Sequence, residues 1–141
     1  MDAGADVMAR TKHGATPLHS TGASDRPANI RALIAAGADV MARTRHGETS
    51  LHTAAKYGTP ATIQALQTAG ADVIARTKHG ATPLHWAVKH GNPKNFQTLL
   101  AAGADAKAKN EEGITPWDLA QENEKLKGTK AYWALNDAQY N

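Results

Sequence analysis

The sequence predicts an all-α fold, a solenoid of stacked helix–turn–helix units with projecting β-hairpin loops. Three observations carry this. Gly-Ala-Asp begins at Gly4, Gly37, Gly70 and Gly103, a constant step of 33 residues. Thr16-Pro17-Leu18-His19 returns in the same phase as Thr49-Ser50-Leu51-His52, Thr82-Pro83-Leu84-His85 and Thr115-Pro116-Trp117-Asp118. Gly14, Gly47, Gly80 and Gly113 hold a third register. Self-similarity at one fixed period marks a repeat array.

Within one period the signals run helix, turn, helix, extended return. Thr82 serves as N-cap and Pro83 takes the first helical position, where its missing N–H costs nothing. The helix continues through Leu84, Ala87 and Val88 and stops near Gly91. Asn92-Pro93 starts the second helix by the same device, and Phe96, Leu99 and Leu100 follow the i, i+3, i+4 spacing of a buried face. Gly103 closes it as a left-handed stop. Thr49, Thr59-Pro60 and Gly70 repeat the plan one unit earlier. The stretch from Ala71 to Gly80 is polar and glycine-bounded, as a projecting loop requires. One such helix pair cannot bury its apolar face alone, so neighbours must stack.

Composition agrees. The 141 residues suffice for one domain, and 41% hydrophobic with 21% charged residues excludes a disordered tail. No apolar run approaches the roughly 20 residues that cross a bilayer. Aromatics are only 5%, so alanine and the aliphatics must fill the core. The absence of cysteine removes disulfides, a thiol nucleophile and a Cys-based zinc site. With no secretory leader pattern at Met1–Asp6, a cytoplasmic location is expected.

The phased Thr-Pro-Leu-His, the 33-residue step and the Gly-Ala-Asp after the second helix resemble the ankyrin repeat. The resemblance divides a single domain, residues 1–141, into a partial unit at 1–10, repeats at 11–43, 44–76 and 77–109, and a C-terminal capping repeat at 110–141. It implies that a partner binds the loop tips and the inner face of the first helices, and that the repeated histidine makes structural hydrogen bonds.

Several positions depart from the pattern. In unit one, Gly22 falls in the first helix, at an expected cost of roughly 1 kcal/mol relative to Ala. Asp25 stands where units two and three have glycine, and residues 1–30 are expected to be the least stable part. In the last unit Tyr132, Trp133 and Leu135 are expected to form a buried apolar stripe. Ankyrin repeats usually carry Asn where this chain has Met8, Met41, Ile74 and Lys107. The first three are expected to pack between loops; exposed, they would form a strip for weak self-association of an otherwise monomeric protein. Trp86 is expected to lie partly buried between first helices.

No nucleotide loop, zinc-protease motif or nucleophile elbow occurs, so no enzyme and no cofactor is expected. His19, His52 and His85 do not suggest a metal site: stacked helices lie about 8–10 Å apart, whereas zinc requires nitrogens at about 2.0–2.1 Å. The tips are more informative. Arg10-Thr11-Lys12-His13, Arg43-Thr44-Arg45-His46 and Arg76-Thr77-Lys78-His79 write one motif three times. Their six Arg and Lys residues contribute +6, leaving −3 for the rest of a chain whose net charge is +3. The fourth tip, Lys109-Asn110-Glu111-Glu112, breaks the pattern with two acids.

Carried over by position, the expected partner-binding residues are Lys12, His13, Arg45, His46, Lys56, Tyr57, Lys78, His79, Lys89 and His90. Tyrosine among cations suits an acidic protein or peptide. Nucleic acid is disfavoured by the modest charge and the lack of a recognition-helix pattern. A polyanion, or a scaffold with no natural ligand, is the alternative. Histidines near this face predict tighter anion binding at pH 6 than at pH 8.

Overall fold

The computed structural model describes residues 6–140. Met1–Ala5, which include Gly4 and Ala5 of the first Gly-Ala-Asp marker and half of the partial unit, and Asn141 lie outside the described residues. Among the described residues eight α-helices form four pairs: α1 (Pro17–Gly22) and α2 (Pro27–Ala35), α3 (Ser50–Tyr57) and α4 (Pro60–Thr68), α5 (Pro83–Lys89) and α6 (Pro93–Ala101), α7 (Pro116–Gln121) and α8 (Lys130–Ala138). The first helices pack in a row, α1 on α3 on α5 on α7, and the second helices form a parallel row, α2 on α4 on α6 on α8.

The repeated tetrapeptide is a reciprocal N-cap. Thr16, Thr49, Thr82 and Thr115 hold the extended N-cap conformation, and the side chain three residues on reaches back to the cap. Histidine does this in three units and Asp118 in the fourth, where Thr115 N–H donates to Asp118 Oδ2 at 2.9 Å. The second helices of the first three units end where expected. Gly37, Gly70 and Gly103 take φ values of +98°, +96° and +97°, a region open chiefly to glycine.

The core runs between the two rows. Leu18, Leu51 and Leu84 of the first helices meet Ile30, Ile63, Phe96, Leu66 and Leu99 of the second, all at most 1% exposed. Alanines fill the remaining space: Ala54, Ala55 and Ala87 are fully buried, which lets neighbouring helices approach closely. Gly22 serves the same end. It is the last residue of α1 and is buried, and a Cβ there would sit 3.0 Å from the Ser50 carbonyl oxygen. Its helix cost is therefore offset by close packing of α1 on α3. Gly58 shows the same constraint: its Cβ would lie 2.5 Å from the Gly22 carbonyl oxygen. In unit one the equivalent residue, Asp25, is exposed.

Two expectations need correction. The projecting loops contain no strand among the described residues. Each is a tight turn closed by two backbone hydrogen bonds, such as Thr44 N–H to Glu48 O at 2.9 Å and Gly47 N–H to Thr44 O at 3.0 Å. The threonine hydroxyl also accepts from the backbone within that turn, which curls the chain too sharply for a ladder. Trp133 is 55% exposed and is not core. Ala131, Tyr132 and Leu135 define the buried face of α8, and Trp133 lies one residue, about 100°, off the Tyr132 position.

Candidate functional site

The candidate surface is built from three fingers and the inner ends of the first helices. Neighbouring fingers are locked in register. Arg45 N–H donates to the His13 carbonyl and Lys78 N–H to the His46 carbonyl, both at 2.9 Å; Glu111 N–H continues the series to His79. Lys12, His13, Arg45, His46, Lys78 and His79 are all exposed. The structure therefore brings these six side chains into one comb.

The motif's other arginines have a different task. Arg10 Nη1 donates to the carbonyls of Gly14 (2.9 Å) and Arg43 (2.8 Å). Arg43 repeats this on Gly47 and Arg76, and Arg76 on Gly80 and Lys109. Three of the six motif cations are thus staples between fingers. Sequence spacing does not reveal this, because the carbonyl each reaches lies 33 residues away.

On the helices, Lys56 and Tyr57 end α3, Lys89 ends α5, and His90 caps α5. Tyr57 is 61% exposed, while Lys56 is half-buried. The Lys56 ammonium lies 4.7 Å from the Tyr57 ring centroid and 5.3 Å from that of Trp86. Trp86, half-buried as expected, meets His52 and His90 edge-on at centroid distances of 5.7 and 6.4 Å. The aromatic–cation cluster joins two residues the sequence singles out for binding with one it treats as packing.

Two histidines on this surface are constrained. His79 Nδ1 lies 2.7 Å from Glu111 Oε1, so the acidic fourth finger engages the third. Burial lowers the His90 pKa, and the charges of Lys56 and Lys89 lower it further. His90 therefore contributes less positive charge at mildly acidic pH than a histidine with the ordinary pKa.

His19, His52 and His85 are structural relays. The N-cap N–H donates to Nδ1 at 3.0–3.1 Å, so the proton resides on Nε2, which donates to Glu48, Ala81 or Ile114 carbonyls of the following unit at 2.8–2.9 Å. Both ring nitrogens are engaged, leaving neither for a metal. Burial lowers the pKa of all three, that of His52 to about 4.

The row of Met8, Met41 and Ile74 is split. Asp39 N–H donates to Met8 Sδ at 3.3 Å and Asp72 N–H to Met41 Sδ at 3.4 Å, so both half-buried methionines tie one loop to the next. Ile74 has no acceptor and is 53% exposed. A lone exposed isoleucine is not a strip.

The paired helices, stacked in two rows, define a helical repeat protein. A family model described as ankyrin repeats, in three copies, matches residues 24–110, and the chain belongs to the ankyrin repeat family. Ankyrin repeats serve in general as protein–protein interaction modules and are typically non-catalytic. No curated protein matches the chain in sequence. No helix among the described residues is long and apolar enough to cross a membrane.

Proposed function

We propose that this protein is a non-catalytic interaction module that binds an acidic protein or peptide. The contact residues are Lys12, His13, Arg45, His46, Lys78 and His79 on the fingers, with Lys56, Tyr57, Lys89 and His90 on the helices. The observation that carries the reading is the comb itself. Three exposed basic tips are joined backbone to backbone, so their cations are held in fixed order before a ligand arrives. Such preorganisation lowers the entropic cost of binding, and arginine and lysine against carboxylates make charge-assisted hydrogen bonds.

The test is a pull-down with the intact chain and with the double variant Arg45→Glu, Lys78→Glu. Enrichment of acidic proteins that disappears in the double variant is expected. Unchanged recovery would sink the proposal. Tight binding to heparin or duplex DNA with a steep salt slope would replace it by polyanion recognition.

A further inference from the structure

A recess of about 300 Å³ lies between α1 and α3, with Trp86 of α5 at its far end. Its origin is a difference in side-chain size between units one and two. Unit one places Ala15, Ser20 and Ala23 where unit two has Glu48, Thr53 and Lys56. Small side chains therefore form one wall, and Thr53, Tyr57 and Trp86 face them. The far wall is held in place before any ligand arrives. Trp86 is braced by His52 and His90, and Lys56 rests over both the Trp86 and Tyr57 rings.

We propose that this recess receives one bulky aromatic side chain of the partner, flanked on either side by acidic residues. The inference rests on the acidic-partner reading and specifies its anchor. Aromatic and small apolar walls bury such a ring, and the Lys56 ammonium supplies a cation–π partner. Glu48, the one carboxylate residue bordering the recess, disfavours an acidic side chain inside it. The acids therefore lie outside, against Arg45 and Lys78 on the fingers and Lys89 on α5. An anchor in a pocket surrounded by a charged rim is how a few residues dominate binding energy at protein interfaces.

The experiment uses the intact chain and two fluorescein-labelled peptides, each with six glutamates around one central residue, tryptophan in one and alanine in the other. Fluorescence anisotropy is expected to show the tryptophan peptide binding about tenfold more tightly, as burial of one large ring warrants. Ala23→Leu, which fills the recess, is expected to erase that preference and leave the alanine peptide unchanged. Ser20→Leu, at an exposed position on the same wall, is expected to do the same and serves as the check should the first variant fold poorly. Equal affinity for the two peptides overturns the aromatic anchor while leaving the basic face intact. A preference that survives in a folded variant places the anchor elsewhere and overturns the proposal. Binding of neither peptide overturns the anchor and the acidic-partner reading together.

Discussion

Arg43 Nη1 donates to the carbonyl oxygen of Arg76 at 2.8 Å, joining two residues one full repeat apart. The same guanidinium holds the Gly47 carbonyl of its own turn at 2.9 Å. The two acceptors lie on neighbouring fingers, and a fork-shaped donor can satisfy both where an ammonium on a flexible stem cannot do so as well. The basic motif is therefore two motifs interleaved. Its arginines at 10, 43 and 76 brace the fingers, while Lys12, Arg45 and Lys78 face solvent.

This division predicts opposite outcomes for neighbouring charges. Arg43→Gln is expected to destabilise the fold by about 1 kcal/mol, the scale of an exposed hydrogen bond to a charged donor, and to weaken partner binding only slightly. Arg45→Glu is expected to leave stability within about 0.5 kcal/mol and to weaken binding at least tenfold. Urea unfolding together with a binding titration distinguishes the two. Equal stability loss at both positions would contradict the division of labour.

The buried histidines make the fold acid-sensitive. His52 is fully buried, its pKa is lowered to about 4, and in the unfolded chain the same imidazole titrates near its ordinary 6.5. As pH falls from 6.5 towards 4, the unfolded state binds a proton that the folded state refuses, so stability drops. This one residue is expected to remove roughly 2 kcal/mol between pH 8 and pH 5. His19 and His85 shift in the same direction and add to the loss. Denaturant midpoints at pH 8, 6 and 5 check this. His52→Gln is expected to be less stable at pH 8 but to show a shallower pH dependence, and an unchanged slope would remove His52 as the cause.

Ile74 is a site where stability can be gained. Met8 and Met41 accept the N–H of Asp39 and Asp72, and Ile74 offers nothing equivalent to Asp105. Ile74→Met extends the sulfur series, and Ile74→Asn restores the residue usual in this family. Each is expected to raise stability by about 0.5–1 kcal/mol, the net worth of one added hydrogen bond. Met41→Leu, which keeps the bulk and removes the acceptor, is expected to lower it by a similar amount. Thermal melts of the three variants decide the matter, and stabilisation by Met41→Leu would show that the sulfur contacts are incidental.

What the sequence discloses and what it hides follows from where each determinant is written. Thr82 with Pro83, and Asn92 with Pro93, are local signals, so both helix starts of unit three are readable within a few residues. The exposed cations of the tips are likewise readable by position. Arg43 is not, because its role depends on a carbonyl one repeat away that no local pattern points to. Trp133 misleads because α8 has a narrow apolar face, and hydrophobicity alone does not separate it from Tyr132 one residue earlier. The recess beside Trp86 is written in the sequence as the small set Ala15, Ser20 and Ala23, but small residues signal a hollow only once the neighbouring wall is known.

Asn95 extends that lesson to the interior, and its replacement should be costly. It lies at the third position of α6, fully buried, and its Nδ2 donates towards the carbonyls of Ala54 (3.3 Å), Ala55 (3.2 Å) and Gly58 (3.0 Å) at the end of α3. Ala54 O also accepts the Gly58 N–H at 2.8 Å, but carbonyls at a helix's C-terminal end lack partners within the helix, and for Ala55 and Gly58 a side chain from the following unit supplies one. Its Oδ1 is buried with no hydrogen-bond partner, so the residue is kept for its donors despite an uncompensated acceptor. Asn95→Asp would set a carboxylate against these oxygens and is expected to cost at least about 3 kcal/mol. Asn95→Leu removes the donors but also the orphan acceptor, and about 1–3 kcal/mol is expected from the Ala55 and Gly58 carbonyls left unpaired. Thr62 is the equivalent residue of unit two, and its hydroxyl instead donates to the Thr59 carbonyl at 2.8 Å within its own turn. Asn95→Thr should therefore fall between the wild type and Asn95→Leu. Hydrogen exchange at the end of α3 provides the local readout: faster exchange there in Asn95→Leu, with α1 unchanged, is expected. Uniform loss of protection across all four units would instead show that the array unfolds as one block and that Asn95 has no local capping role.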